Sequence, residues 1–78
     1  MTRIQILGPG CTRCRAVADN ARRAVAELGI EAEVELVEDT EALMRLGVLI
    51  TPAVTVNGKV AGTGRLFGVE EIKAMVEG

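Results

Sequence analysis

The chain contains no histidine, serine, tryptophan or tyrosine, and Phe67 is its one aromatic residue. Each absence removes a class of chemistry. Without Ser and His, neither a Ser–His–Asp nor a Cys–His nucleophilic mechanism can be assembled from one chain. With Cys11 and Cys14 as the only two thiols, a closed four-ligand zinc site cannot be completed from Cys and His. Nucleic-acid binding rests on basic surfaces, and single strands also need stacking platforms. Nine Lys and Arg against eleven Asp and Glu supply neither, so no nucleic-acid partner is expected. No apolar run is longer than the three residues of Val48–Leu49–Ile50, so no membrane span is expected. The N-terminus lacks the layout of a secretory signal, which leads us to expect a cytoplasmic protein.

What remains reactive near neutral pH is short to state: the two thiols, the Lys59 and Lys73 amines, and the carboxylates. The 78 residues suit one domain over residues 1–78 with one core. At 49 % hydrophobic and 26 % charged, the composition is globular.

Residues 1–7 alternate, with Ile4 and Ile6 between Arg3 and Gln5, which predicts a strand; Gly8–Pro9–Gly10 ends it. Residues 11–28 carry Cys14, Val17, Ala18, Ala21, Val25 and Leu28 at helical spacing. Asp19 and Arg23 are expected to pair across one turn, and Gly29 to close the helix. Residues 31–37 predict a second strand, with Glu31, Glu33 and Glu35 on its outward face. Three carboxylates there suit a solvated edge that repels unwanted pairing.

A short helix follows, capped by Asp39 or Thr40 and ended by Gly47, with Leu43, Leu46 and Met44 expected inside. Residues 53–56 and 59–62 flank Asn57–Gly58, the signature of a tight hairpin. Residues 69–76 close the order as a helix, with Val69, Ile72 and Val76 inward. The order is β-α-β-α-β-β-α. The first two strands, joined through a helix, should be parallel, and the last two antiparallel. An α/β fold satisfies this: one four-stranded mixed sheet flanked by helices on both faces.

Chemistry concentrates at Gly8–Pro9–Gly10–Cys11–Thr12–Arg13–Cys14–Arg15. With Cys11 at a helix start, free N–H groups and the positive end of the helix dipole favour its thiolate, and Cys14 lies one turn further in. Arg13 and Arg15 add positive charge. The Cys11 pKa is therefore expected in the range of roughly 3.5–7.5 seen in such motifs. Cys11 then attacks a substrate disulfide, and Cys14 resolves the mixed disulfide. A merely structural disulfide is the bland alternative, but one closing so short a loop stabilises little.

These features make the chain resemble the small thioredoxin-like redox-active disulfide proteins, at the short end of the thioredoxin and glutaredoxin superfamily. The resemblance rests on the Cys pair after the first strand, Thr51–Pro52 before the third, and the Asn57–Gly58 hairpin. It implies that Pro52 is cis and faces the cysteines, and that the Thr51 backbone pairs with substrate as an added strand. Thr12 and Arg13 join Thr51 and Pro52 as implied substrate contacts. It further implies a thiol–disulfide oxidoreductase that needs no cofactor beyond the redox-active Cys11–Cys14 disulfide. The implied partners are disulfide-containing proteins and an upstream thiol or flavin reductase, with the chain a monomer.

The chain departs from typical thioredoxins in three places. Gly10 stands where Trp precedes the first cysteine, Thr12–Arg13 replaces Gly–Pro, and residues 3–7 hold no acid to serve Cys14. Gly62–Thr63–Gly64 resembles the glutathione-binding turn of glutaredoxins, but Arg65 follows it where those proteins have an acid. Two other readings use the same residues. One is a carrier holding Cu(I) between two thiolates. The other is a redox-sensing module without turnover.

Overall fold

The computed structural model describes residues 2–8, 10, 12–48 and 50–77; Met1, Pro9, Cys11, Leu49 and Gly78 lie outside them. Alternation at Ile4 and Ile6 becomes strand β1 (Thr2–Leu7). The helical spacing becomes α1 (Thr12–Leu28), followed by β2 (Ala32–Val37) and α2 (Thr40–Arg45). The chain then runs through β3 (Ala53–Val56), β4 (Lys59–Thr63) and α3 (Val69–Glu77).

The strands form one sheet in the order β2-β1-β3-β4. β1 runs parallel to β2, with Leu7 opposite Val37, and antiparallel to β3, with Ile6 opposite Val54. β3 and β4 form the expected hairpin, with an irregularity in register between Val54 and Thr55. Asn57 and Gly58 both take positive φ, 52° and 86°, the twist that a two-residue hairpin needs. Asn57 also clasps β1: its Oδ1 accepts from Arg3 N at 2.9 Å, and its own N–H donates to Arg3 O at 2.7 Å.

Strand alternation sends side chains to two separate apolar clusters. Ile4, Ile6 and Val54 pack against Val17, Ala18, Ala21 and Ala24 of α1, with Phe67 and Ile72. Leu7 and Ala53 face the other way, onto Val48, with Val37 and Leu43 of α2. Helices therefore cover both faces. β2 lies at an edge, and Glu33 and Glu35 are exposed on it, as the alternation predicts.

Two local expectations are corrected, and the choice of cap for α2 is resolved. Asp19 pairs with Arg22 one residue nearer than Arg23, at 3.1 Å. Met44 is 75 % exposed and Leu46 36 % exposed, because six-residue α2 turns only one side to the sheet. Asp39, not Thr40, caps α2, its Oδ1 accepting from Glu41 N at 3.0 Å.

α1 and α3 are joined by Lys73, whose Nζ lies 2.6 Å from Glu27 Oε1 and 3.0 Å from Glu70 Oε2. The hydrogen bond to Glu27, then that to Glu70, raises the Lys73 pKa above its ordinary 10.5. A raised ammonium pKa means that the folded state holds the proton more tightly than the unfolded chain does. The contribution is thus complete below the unfolded value and is lost as pH climbs through the raised one. Thermal melts from pH 9 to 12 should show wild type losing its advantage over Lys73→Met across that alkaline window. A constant gap would show that the ion pairs contribute nothing.

Candidate functional site

The site forms where β1 ends and α1 begins. Gly8 prolongs the parallel ladder, its N–H donating to Val37 O at 3.0 Å. Cys14 lies in the first turn of α1, fully buried. Its Sγ fills the space where a residue-8 side chain would stand: a Cβ built on Gly8 would overlap Cys14 Sγ and approach Cys14 Cβ to 3.3 Å. The same Cβ would lie 3.6 Å from Thr51 Cβ. Glycine at position 8 is therefore what lets helix, strand and the 50–52 segment meet.

The Thr51–Pro52 peptide bond is cis. Pro52 is buried and Thr51 half-buried. Gly64 N donates to Pro52 O at 2.9 Å, tying this segment to the far end of β4. Of the residues singled out in the sequence, Cys14, Thr51 and Pro52 are thus brought to one place. Thr12 and Arg13 are exposed in the first turn of α1. Cys11, the expected attacking thiol, lies outside the described residues.

Arg65 has a local task. Its Nη1 is 3.1 Å from Glu71 Oε2, and its guanidinium carbon is 5.8 Å from the centroid of the Phe67 ring. Glu71 Oε1 also accepts from Gly68 N at 3.3 Å, at the start of α3. Arg65 is in that way directed to the α3 terminus.

Two contributors were not visible as site residues in the sequence. Gly8 read as a strand breaker at the start of the Cys-bearing stretch, with no role of its own, although its lack of a side chain accommodates the Cys14 sulfur. Glu38, just past the predicted strand, drew no reading, yet its carboxylate lies against Gly10. No local pattern marks either: the Gly8 contact depends on how α1 seats against the end of β1, and the Glu38 contact on the parallel pairing of β1 with β2.

A four-stranded mixed sheet that sets a cis-proline segment beside the first turn of a Cys-bearing helix defines the thioredoxin-like class. The chain matches the thioredoxin domain family over residues 2–77, and it belongs to that family of thiol–disulfide oxidoreductases. It is 40 % identical over 76 residues to a thioredoxin of Methanothermobacter thermautotrophicus, covering 97 % of this chain and 99 % of that one. A thioredoxin of Methanocaldococcus jannaschii is 38 % identical over 73 residues, covering 94 % and 84 %. Among the described residues, no helix is long and apolar enough to cross a membrane.

Proposed function

We propose that the chain reduces disulfides through Cys11 and Cys14, with Cys11 attacking and Cys14 resolving. The observation that carries this reading is the placement of Cys14: buried, sulfur against Gly8, and next to Thr51 of the cis Thr51–Pro52 segment. A thiol so enclosed is shielded from outside disulfides and suited to attack a sulfur held on its own chain.

In the first step the Cys11 thiolate bonds to one substrate sulfur. The substrate S–S bond breaks, and the other sulfur leaves as a thiolate that takes up a proton. In the second step Cys14, having lost its proton, attacks the Cys11 sulfur and expels the remaining substrate thiol. Two electrons pass to the substrate and the Cys11–Cys14 disulfide remains. A dithiol or flavin reductase returns the two electrons. Thiols and disulfides balance every step, so no further cofactor is required.

Pro52 has no N–H, and its carbonyl is held by Gly64. The backbone of Thr51 is therefore assigned to align an extended substrate segment, with Thr12 and Arg13 at the exposed rim. We place the protein in a reducing cytoplasmic setting, acting as a monomer on disulfide-containing proteins.

Insulin-disulfide reduction by dithiothreitol should accelerate when the protein is present. A Cys14→Ala variant should accumulate a mixed disulfide through Cys11, visible by non-reducing mass spectrometry. No acceleration and no adduct, with Cys11 still alkylated by iodoacetamide, sinks the reading. Retention of Cu(I) against a competing chelator without turnover would replace it with the carrier; neither behaviour would point to a sensor.

A further inference from the structure

We propose that Glu38 tunes the acidity and redox balance of the cysteine pair by laying its carboxylate on the loop that leads into α1. The inference rests on the redox reading above and adds a residue that neither motif nor family match singles out.

Gly10 has φ +77°, a conformation that glycine adopts freely and other residues adopt at a cost. A Cβ placed there would lie 2.7 Å from Glu38 Oε1, 2.9 Å from Cδ and 3.2 Å from Oε2. Both oxygens thus face the bare backbone of residue 10. The approach is built into the sheet: Val37 is opposite Leu7 and accepts from Gly8 N, so Glu38 continues alongside the loop.

The charge is not otherwise spent. Among the described residues, Glu38 enters no ion pair within 4 Å. The next residue, Asp39, is occupied in capping α2. α1 brings no acidic residue in its first turn, and its nearby charges, Arg13 and Arg15, are exposed cations. Residues 50–52 and 62–64 are uncharged, and Arg65 is held by Glu71. Glu38 is therefore the anion presented to the entrance of α1.

Cys11 follows Gly10 in the chain, and consecutive Cα atoms are about 3.8 Å apart. A carboxylate resting on Gly10 is therefore one residue along the chain from Cys11, and its negative charge opposes formation of a thiolate there. The helix end and Arg13 and Arg15 pull the thiol pKa down; Glu38 pulls it back up. Destabilising the thiolate disfavours the reduced form against the disulfide, which makes the pair more reducing.

The test compares wild type with Glu38→Gln, Glu38→Asp and Glu35→Gln. Glu35 is an exposed carboxylate of β2 and controls for the change in net charge. Iodoacetamide alkylation of Cys11 is followed against pH by peptide mass mapping, and the Cys pair is equilibrated with glutathione. In Glu38→Gln the thiolate fraction below the midpoint should rise about threefold, a charge effect expected at this range in a high-dielectric setting. The glutathione equilibrium should move about threefold toward dithiol, or roughly 15 mV less negative. Glu38→Asp, which retracts the charge by one carbon, should fall between wild type and Glu38→Gln, and Glu35→Gln should match wild type.

Unchanged alkylation and equilibrium in Glu38→Gln overturn the inference, as does an equal change in Glu35→Gln. The alkylation midpoint is readable even if the wild type fails to turn over insulin. Failure of the redox reading is thereby told apart from failure of this one.

Discussion

Replacing Phe67 with Ala should remove about 3–4 kcal/mol of stability, the scale for deleting a buried aromatic side chain. A 78-residue domain has a total stability of about 4–12 kcal/mol, so the variant should stand near the edge of unfolding. Phe67 is 4 % exposed and belongs to the cluster between the sheet, α1 and α3. Its ring lies on Gly62, where a Cβ would come within 2.7 Å of Phe67 Cζ, 2.8 Å of Phe67 Cε1 and 3.1 Å of Met75 Cε. Asn20 Nδ2 donates to the Phe67 carbonyl at 2.9 Å, which fixes the residue to α1. That anchoring limits collapse around the gap. Urea denaturation should show the loss, and Phe67→Leu should recover most of it. A loss under about 1 kcal/mol would mean that the cluster closes over the missing ring.

Gly8→Ala should be costly in a different way. The added methyl has no room, because the Cys14 sulfur occupies its place and Cys14 Cβ stands 3.3 Å off. Relief requires turning the cysteine or shifting the start of α1, at a cost of about 1–3 kcal/mol. If the redox reading holds, exchange should slow about a hundredfold, since displacement of a reacting group by about 1 Å has that effect. The diagnosis comes from the double variant. Cys14→Ala removes the sulfur that the methyl strikes, so Gly8→Ala should cost at least about 1 kcal/mol less in that background. Equal costs in both backgrounds would show that the overlap is not with the sulfur.

Much of the fold was legible because its signals are local. Ile4 and Ile6 against Arg3 and Gln5, the spaced apolar residues of α1, and Asn57–Gly58 each state their element within a few residues. The outward Glu33 and Glu35 marked β2 as an edge for the same reason. α2 was harder. Met44 and Leu46 are apolar, and apolarity alone suggests burial, but so short a helix on a narrow sheet end engages Leu43 and leaves them out. On α1, Val25 packs against the core as its spacing implies, while the fully buried residue at that level is Ala24, which the spacing did not single out. Ala18, Ala21 and Ala24, three residues apart, line the buried side of α1. The Cys pair was legible because its spacing is itself the motif. Gly8 beneath Cys14, Glu38 on Gly10 and Gly64 bonded to Pro52 were not, since each depends on how elements pack and not on any pattern within a short stretch.

β1 occupies an interior position, and its two neighbours arrive at different points along the chain: β2 follows after one helix, whereas β3 arrives only at Ala53. During synthesis the first strand therefore emerges long before its second partner exists. Until residues 53–63 and then Phe67 and Ile72 leave the ribosome, Ile4 and Ile6 have half a sheet to join and an incomplete apolar lining to enter. Pairings of such wide sequence separation form late, because a large loop must close before they return any stability. The nascent polypeptide is thus expected to stay open to holdase chaperones and proteases for most of its translation, and to acquire its protected shape in one late step.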